Sequence, residues 1–124
     1  LSATDEETTR LVRSAVTDPQ RQRRTDPGRP EVCNVYSLHE VFTPGRTAEI
    51  YGQCTTAGIG CVDCKNILAG SINETFREVR ERHAELAAKP DFVRSILREG
   101  AERARDIAQA TLAEVRDRMG LMPR

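Results

Sequence analysis

Tryptophan is missing from this 124-residue chain, and its aromatic side chains are three phenylalanines and two tyrosines. A core so poor in rings has to be built from Leu, Ile, Val and Ala. No apolar stretch is long enough to span a membrane and none reads as a signal peptide, so a cytoplasmic protein without membrane contact is expected. Charge of one sign is lacking too: 19 Lys and Arg balance 19 Asp and Glu. No global field then draws nucleic acid, and any RNA contact has to come from a local patch. Catalytic signatures are also wanting. There is no glycine-rich phosphate loop, no His-Glu-x-x-His, and no serine or cysteine nucleophile with a histidine partner. The two histidines, His39 and His83, lie in separate helical stretches. Carboxylates recur at helical spacings that read as surface charge. From its residues alone the chain is an all-α binding or structural module with a metal site, and at this length one domain with a real core.

What the chain does have is four cysteines, Cys33, Cys54, Cys61 and Cys64, in the order C-x20-C-x6-C-x2-C. All fall between Asp26 and Cys64, the segment around which the helices are expected to build. Such a set admits disulfides, zinc, an iron–sulfur cluster or unligated structural thiols. Disulfides suit a secreted domain with a denser cysteine framework. A closed zinc tetrahedron usually draws on two short knuckles, and only one Cys-x2-Cys is present. An iron–sulfur cluster accepts a compact run plus one distant ligand, because its metal corners are spread over several ångströms. The spacing leans toward iron–sulfur, while composition leaves the two metals near even.

In chain order, Thr4 before Asp5-Glu6-Glu7 predicts an N-cap with acids in the first turn. Leu11, Val12, Ala15 and Val16 carry that helix to about Asp18-Pro19. Leu1, in place of Met, suits a processed or truncated start of something longer. From Pro19 to Pro30, Arg21, Arg23, Arg24 and Arg29 predict a positively charged loop, either a solvated connector or a surface for phosphate. Pro30 opens a helix running from Glu31 to Phe42. On it His39 reads as a packed or capping side chain before a ligand, and Tyr36 as a core residue before a base-stacking one. A short helix follows from Thr47 to Cys54. Gly58 and Gly60 let the next turn curl and present amides to the sulfurs. One long helix spans about Val62 to Ala88, with a charged face. Pro90 breaks it and Asp91 caps the last helix, whose stripe of Phe92, Ile96, Leu97, Ile107, Leu112 and Val115 suits close packing against the helix before it, with Gly120 as the stop. The expected fold is an all-α helical bundle with a long antiparallel C-terminal helix hairpin and a Cys-rich metal-binding turn, a single domain over residues 1–124.

The runs Ala15-Val16-Thr17-Asp18, Asp26-Pro27-Gly28-x-Pro30-Glu31-x-Cys33-Asn34-Val35-Tyr36, Ala57-Gly58-x-Gly60-Cys61-x-x-Cys64-Lys65, Arg80-Glu81-Arg82, Gly100-Ala101-x-x-Ala104 and Met119-Gly120-Leu121 closely resemble the C-terminal third of bacterial tryptophanyl-tRNA synthetase. The resemblance spans nearly the whole chain. It implies a helical domain that receives the anticodon of tRNA(Trp). The parent enzyme would join tryptophan to that tRNA through an aminoacyl-adenylate, using ATP and magnesium. The catalytic motifs would lie upstream of Leu1, so the fragment alone would be inactive. Its own catalytic domain would be a partner, and the parent would be a homodimer. Some family members carry a 4Fe-4S cluster held by C-x6-C-x2-C, which Cys54, Cys61 and Cys64 reproduce. Cys33 would then be the fourth ligand, and zinc is the alternative. The cluster would staple the turn and shape the surface that meets the anticodon. Lys65 beside the last ligand and Arg46 before Cys54 would contact RNA, and Asn34 would read a base edge. A second reading is a stand-alone helical metal module serving as an interaction or redox protein.

Overall fold

The computed structural model describes residues 3–121, so the expectation about Leu1 lies outside them. Among the described residues the regular structure is helical, with no strand: α1 (Asp5–Ser14), α2 (Asn34–Phe42), α3 (Thr47–Thr55), α4 (Cys61–Ala87) and α5 (Pro90–Arg118). Short 3-10 turns stand at Pro30–Val32 and Pro44–Arg46. The chain divides into two compact units, Leu1–Glu81 and Arg82–Arg124, with the boundary inside α4.

In the first unit α1 opens on a capping box. The Thr4 hydroxyl accepts from the Glu7 amide at 3.2 Å, and the Glu7 carboxylate accepts from the Thr4 amide at 3.0 Å. Two of the orphan donors of the first turn are thereby satisfied. The helix stops at Ser14, short of the expected Asp18, because Ala15 is already extended at φ −60°, ψ 140°. Along its length α1 runs antiparallel to α4. Arg80 pairs with Asp5 and donates to Thr8 Oγ1 at 2.8 Å, Asn73 donates to Thr9 Oγ1 at 3.3 Å, and Arg13 donates to Asn66 Oδ1 at 3.0 Å. The order of the partners reverses from one helix to the other. Between them lies the core of Val12, Val35, Leu68, Ala69 and Ile72, aliphatic as the composition requires. Phe42 and Phe76 close its edge with ring centroids 6.0 Å apart.

The arginine-rich segment after α1 is tied down by Asp18. This carboxylate, 5% exposed, accepts from the amides of Gln20 and Arg29, both at 3.0 Å, and from the Arg29 guanidinium at 2.7 and 3.1 Å. Three local expectations are corrected. Pro30 opens a 3-10 turn and not α2, because Cys33 is extended (φ −103°, ψ 110°) and forms the N-terminal cap of α2. The left-handed residue of the turn after α3 is Ala57, at φ 57°, and neither Gly58 nor Gly60. Lys89 and not Asp91 caps α5, with Pro90 at the first position, where its missing N–H costs nothing.

In the second unit α5 ends as predicted. Gly120, at φ 69°, donates to the Asp117 carbonyl at 3.0 Å, and Leu121 donates to that of Arg116 at 2.8 Å, a Schellman closure. No residue of α5 is buried. Periodicity reports which residues share a face, and it does not supply the surface that covers them.

Candidate metal centre

Four elements of the first unit each bring a cysteine or a support to one place. Cys33 sits between the 3-10 turn and α2, where its carbonyl accepts from the amides of Tyr36 at 2.9 Å and Ser37 at 3.2 Å. Cys54 is in the last turn of α3, and Cys61 and Cys64 form the first turn of α4, where the helix dipole favours negative charge. All four thiols are free and half-buried. They stand within electrostatic reach of one another. Burial, followed by the charges of Cys33, Cys54 and Cys61, pushes the Cys64 thiol up to about 12. Burial pushes Cys54 up as well, opposed by the nearby Arg21. A coordinated cation reverses this balance and deprotonates thiols outright. Among the described residues no three His, Cys, Asp or Glu side chains close on a single metal ion.

The backbone approaches this cluster closely at Gly28. Its amide donates to the Cys54 carbonyl at 3.0 Å, and a Cβ there would meet Cys54 Sγ at 2.5 Å. Two side chains outside the sequence expectation reach in. Arg21 donates to the carbonyls of Ile59 at 2.7 Å and Arg24 at 3.1 Å, and its Nη1 lies 3.7 Å from Cys54 Sγ. His39, fully buried on α2, places Nε2 3.2 Å from both Sγ and the carbonyl oxygen of Cys64, and Nδ1 2.8 Å from the Thr43 hydroxyl. Burial holds its pKa below the ordinary histidine value. His39 is a packed side chain, as expected, but what it packs on is a cysteine. The sequence signal for Arg21 and Gly28 was their place in the arginine loop and in Asp26-Pro27-Gly28. For His39 there was none, because only the fold brings α2 against the start of α4.

The expected RNA-contacting residues are spread around the centre. Asn34 is exposed at the start of α2. Arg46 lies past the other end of that helix and forms a forked pair with Glu49 at 3.0 and 3.1 Å. Lys65 donates to the Arg13 carbonyl at 2.9 Å, satisfying the last turn of α1. Tyr36 is half-buried and meets Tyr51 edge to face at 5.7 Å, and the Tyr51 hydroxyl donates to Glu31. Beside Cys61 a cavity of about 290 Å³ is lined by Thr17, Arg21, Arg23, Arg24 and Asp63. Arg23 and Arg24 are exposed there.

Fold and site together define an all-helical module whose first unit is organised around a cysteine centre. Along nearly its whole length the chain is similar to the C-terminal region of bacterial tryptophan–tRNA ligases. It is 47% identical over 112 residues to that of Deinococcus radiodurans, covering 90% of this chain and 34% of the relative. The ligase of Aquifex aeolicus is 40% identical over 118 residues, and that of Thermotoga maritima 36% over 124, covering 94% and 98% of this chain and 30% and 38% of those relatives. Among solved structures, tryptophanyl-tRNA synthetase from Campylobacter jejuni, complexed with ADP and tryptophan, matches at a TM-score of 0.83 and 29% identity, over 97% of this chain and 37% of that one. The chain thus spans about a third of the length of the relatives it matches. No family model matches it.

Proposed function

We propose that the chain is the anticodon-receiving part of a tryptophan–tRNA ligase, a parent protein that attaches tryptophan to tRNA(Trp) with ATP and magnesium in cytoplasmic translation. The observation that carries this reading is the 47% identity with the Deinococcus radiodurans ligase over 112 residues. In this reading the catalytic portion, a second copy of the parent and the tRNA are its partners. Asn34 is free to meet a base edge, and the exposed Arg23 and Arg24 offer phosphate contacts beside the arginine-lined cavity. Arg46 and Lys65 have such a role only in addition to their bonds to Glu49 and Arg13.

The cysteine centre fits a metal group. Its donors are thiols alone, a soft set that suits iron–sulfur or zinc, and Gly28 leaves open the space beside Cys54 that a side chain would fill. We assign Cys33, Cys54, Cys61 and Cys64 as ligands of a 4Fe-4S cluster. The compact Cys-x6-Cys-x2-Cys run with Cys33 at a distance favours the cluster over zinc. Thiolate–metal bonds would cross-link the starts of α2 and α4 to the end of α3, holding the anticodon-facing surface in shape.

Two experiments test the proposal. The chain should bind a tRNA(Trp) transcript more tightly than one with an altered anticodon, and equal binding would remove the anticodon role. Anaerobically purified protein should be brown with about four irons per chain. About one zinc in a colourless protein would keep the ligands and replace the cluster.

A further inference from the structure

We propose that Arg21 and His39 are positioning residues of the cysteine centre, supplying N–H donors to the sulfurs of Cys54 and Cys64 from opposite elements, the arginine loop and α2. The inference rests on the metal-centre reading above and adds to it two residues that are not ligands.

The Arg21 guanidinium is held in place by two carbonyls, those of Ile59 and Arg24, so its plane does not depend on any thiol. Held this way, it directs Nη1 at Cys54 Sγ, while Nε is buried with no acceptor among the protein groups. A buried N–H without a partner is costly, because it has lost its water and gained no acceptor. Its burial beside thiols suits a site in which those sulfurs carry negative charge.

His39 supplies the second donor through a definite tautomer. Nε2 faces two Cys64 atoms, the carbonyl oxygen and the sulfur. A carbonyl only accepts, and a ligating thiolate only accepts, so Nε2 carries the proton. Nδ1 then accepts, and the Thr43 hydroxyl is placed to donate to it. That hydroxyl also lies 2.9 Å from the His39 carbonyl, but an unprotonated Nδ1 only 2.8 Å from it can be bonded only through the hydroxyl proton, while the carbonyl keeps the Thr43 amide at 2.9 Å. Thr43 thus orients His39, and His39 orients Cys64. Outer groups of this kind fix the ligand and raise metal affinity.

The test uses the full chain loaded with metal without oxygen, and the variants Arg21→Gln, Arg21→Lys, His39→Leu and His39→Gln, with circular dichroism as the check on folding. Release to a chelator is followed by visible absorption for iron or by an indicator for zinc. Arg21→Gln and His39→Leu should hold metal about 10-fold more weakly and, for iron, move the thiolate charge-transfer band. Arg21→Lys keeps a cationic donor and His39→Gln keeps an N–H near the Nε2 position, so each should recover part of the loss. Wild-type release and an unmoved band in all four variants would overturn the inference while leaving the metal centre standing. So would losses that follow the fall in melting temperature equally in the Leu and Gln variants. A wild-type chain that takes up neither iron nor zinc would instead overturn the metal reading, and this inference with it.

Discussion

Gly28, Asp18 and Ala57 show what single residues decide here. Gly28 is required for space: a methyl group would lie 2.5 Å from Cys54 Sγ and 3.2 Å from Arg21 Cδ. Gly28→Ala should therefore push Cys54 out of place, costing about 1–3 kcal/mol by overpacking and weakening metal retention, both readable in a denaturant titration of the loaded protein. Ala57 pays a steric penalty at φ 57° that glycine avoids. Ala57→Gly should leave stability unchanged or raise it by up to about 1 kcal/mol, the relief being partly offset by glycine's greater unfolded-state freedom. Asp18 ties both ends of the arginine loop, and its hydrogen bonds to the Arg29 guanidinium and the Gln20 amide hold its carboxyl well below the usual carboxylate range. Because the folded value is the depressed one, the stability it contributes is fully present above the ordinary carboxylate range and is lost as pH falls toward the folded value. Melting temperature should drop with acidification below about pH 4, the ordinary aspartate range. Asp18→Asn should lower the melting temperature at neutral pH and flatten that acid limb.

Among the elements, α1 and α4 carry the first unit. The capping box at Thr4 starts α1, and Thr4→Ala should cost about 1 kcal/mol by thermal or urea denaturation. Leu68 is fully buried on the face of α4 that meets α1 and α2, and Leu68→Ala should cost about 2–5 kcal/mol. Lys65 belongs to this scale as well as to any RNA surface, because it caps the end of α1 through the Arg13 carbonyl. Charge reversal at Lys65 would remove that bond, so a fall in tRNA binding on Lys65→Glu counts as recognition only if melting temperature is measured beside it. The apolar stripe of the long α5 holds no buried residue.

For the whole molecule the balance of 19 positive and 19 negative side chains sets how RNA can be held. In the proposed reading, recognition would come from a few local cations, so the salt dependence should be shallow. Three phosphate contacts correspond to a slope of about −2 in log K against log salt, at roughly −0.7 per contact for single strands. A slope several times steeper in a filter-binding series would point to a larger basic surface than Arg23, Arg24 and Arg46 provide.

The all-α class, the N-terminal cap at Thr4, the break at Pro90, the stop at Gly120 and the grouping of the cysteines were legible in the chain. Each depends on residues near one another in sequence: a capping side chain, a proline without an N–H, a glycine at positive φ, a Cys-x2-Cys in one helical turn. Several outcomes were decided only by tertiary structure. Within the first unit α1 lies against α4, the Arg21 guanidinium turns inward to Cys54 and Ile59, and His39 rests on Cys64 from 25 residues away. Such contacts depend on which surfaces are buried together, and local pattern carries no information about that. A histidine on an apolar face reads the same whether a leucine or a thiolate lies opposite it.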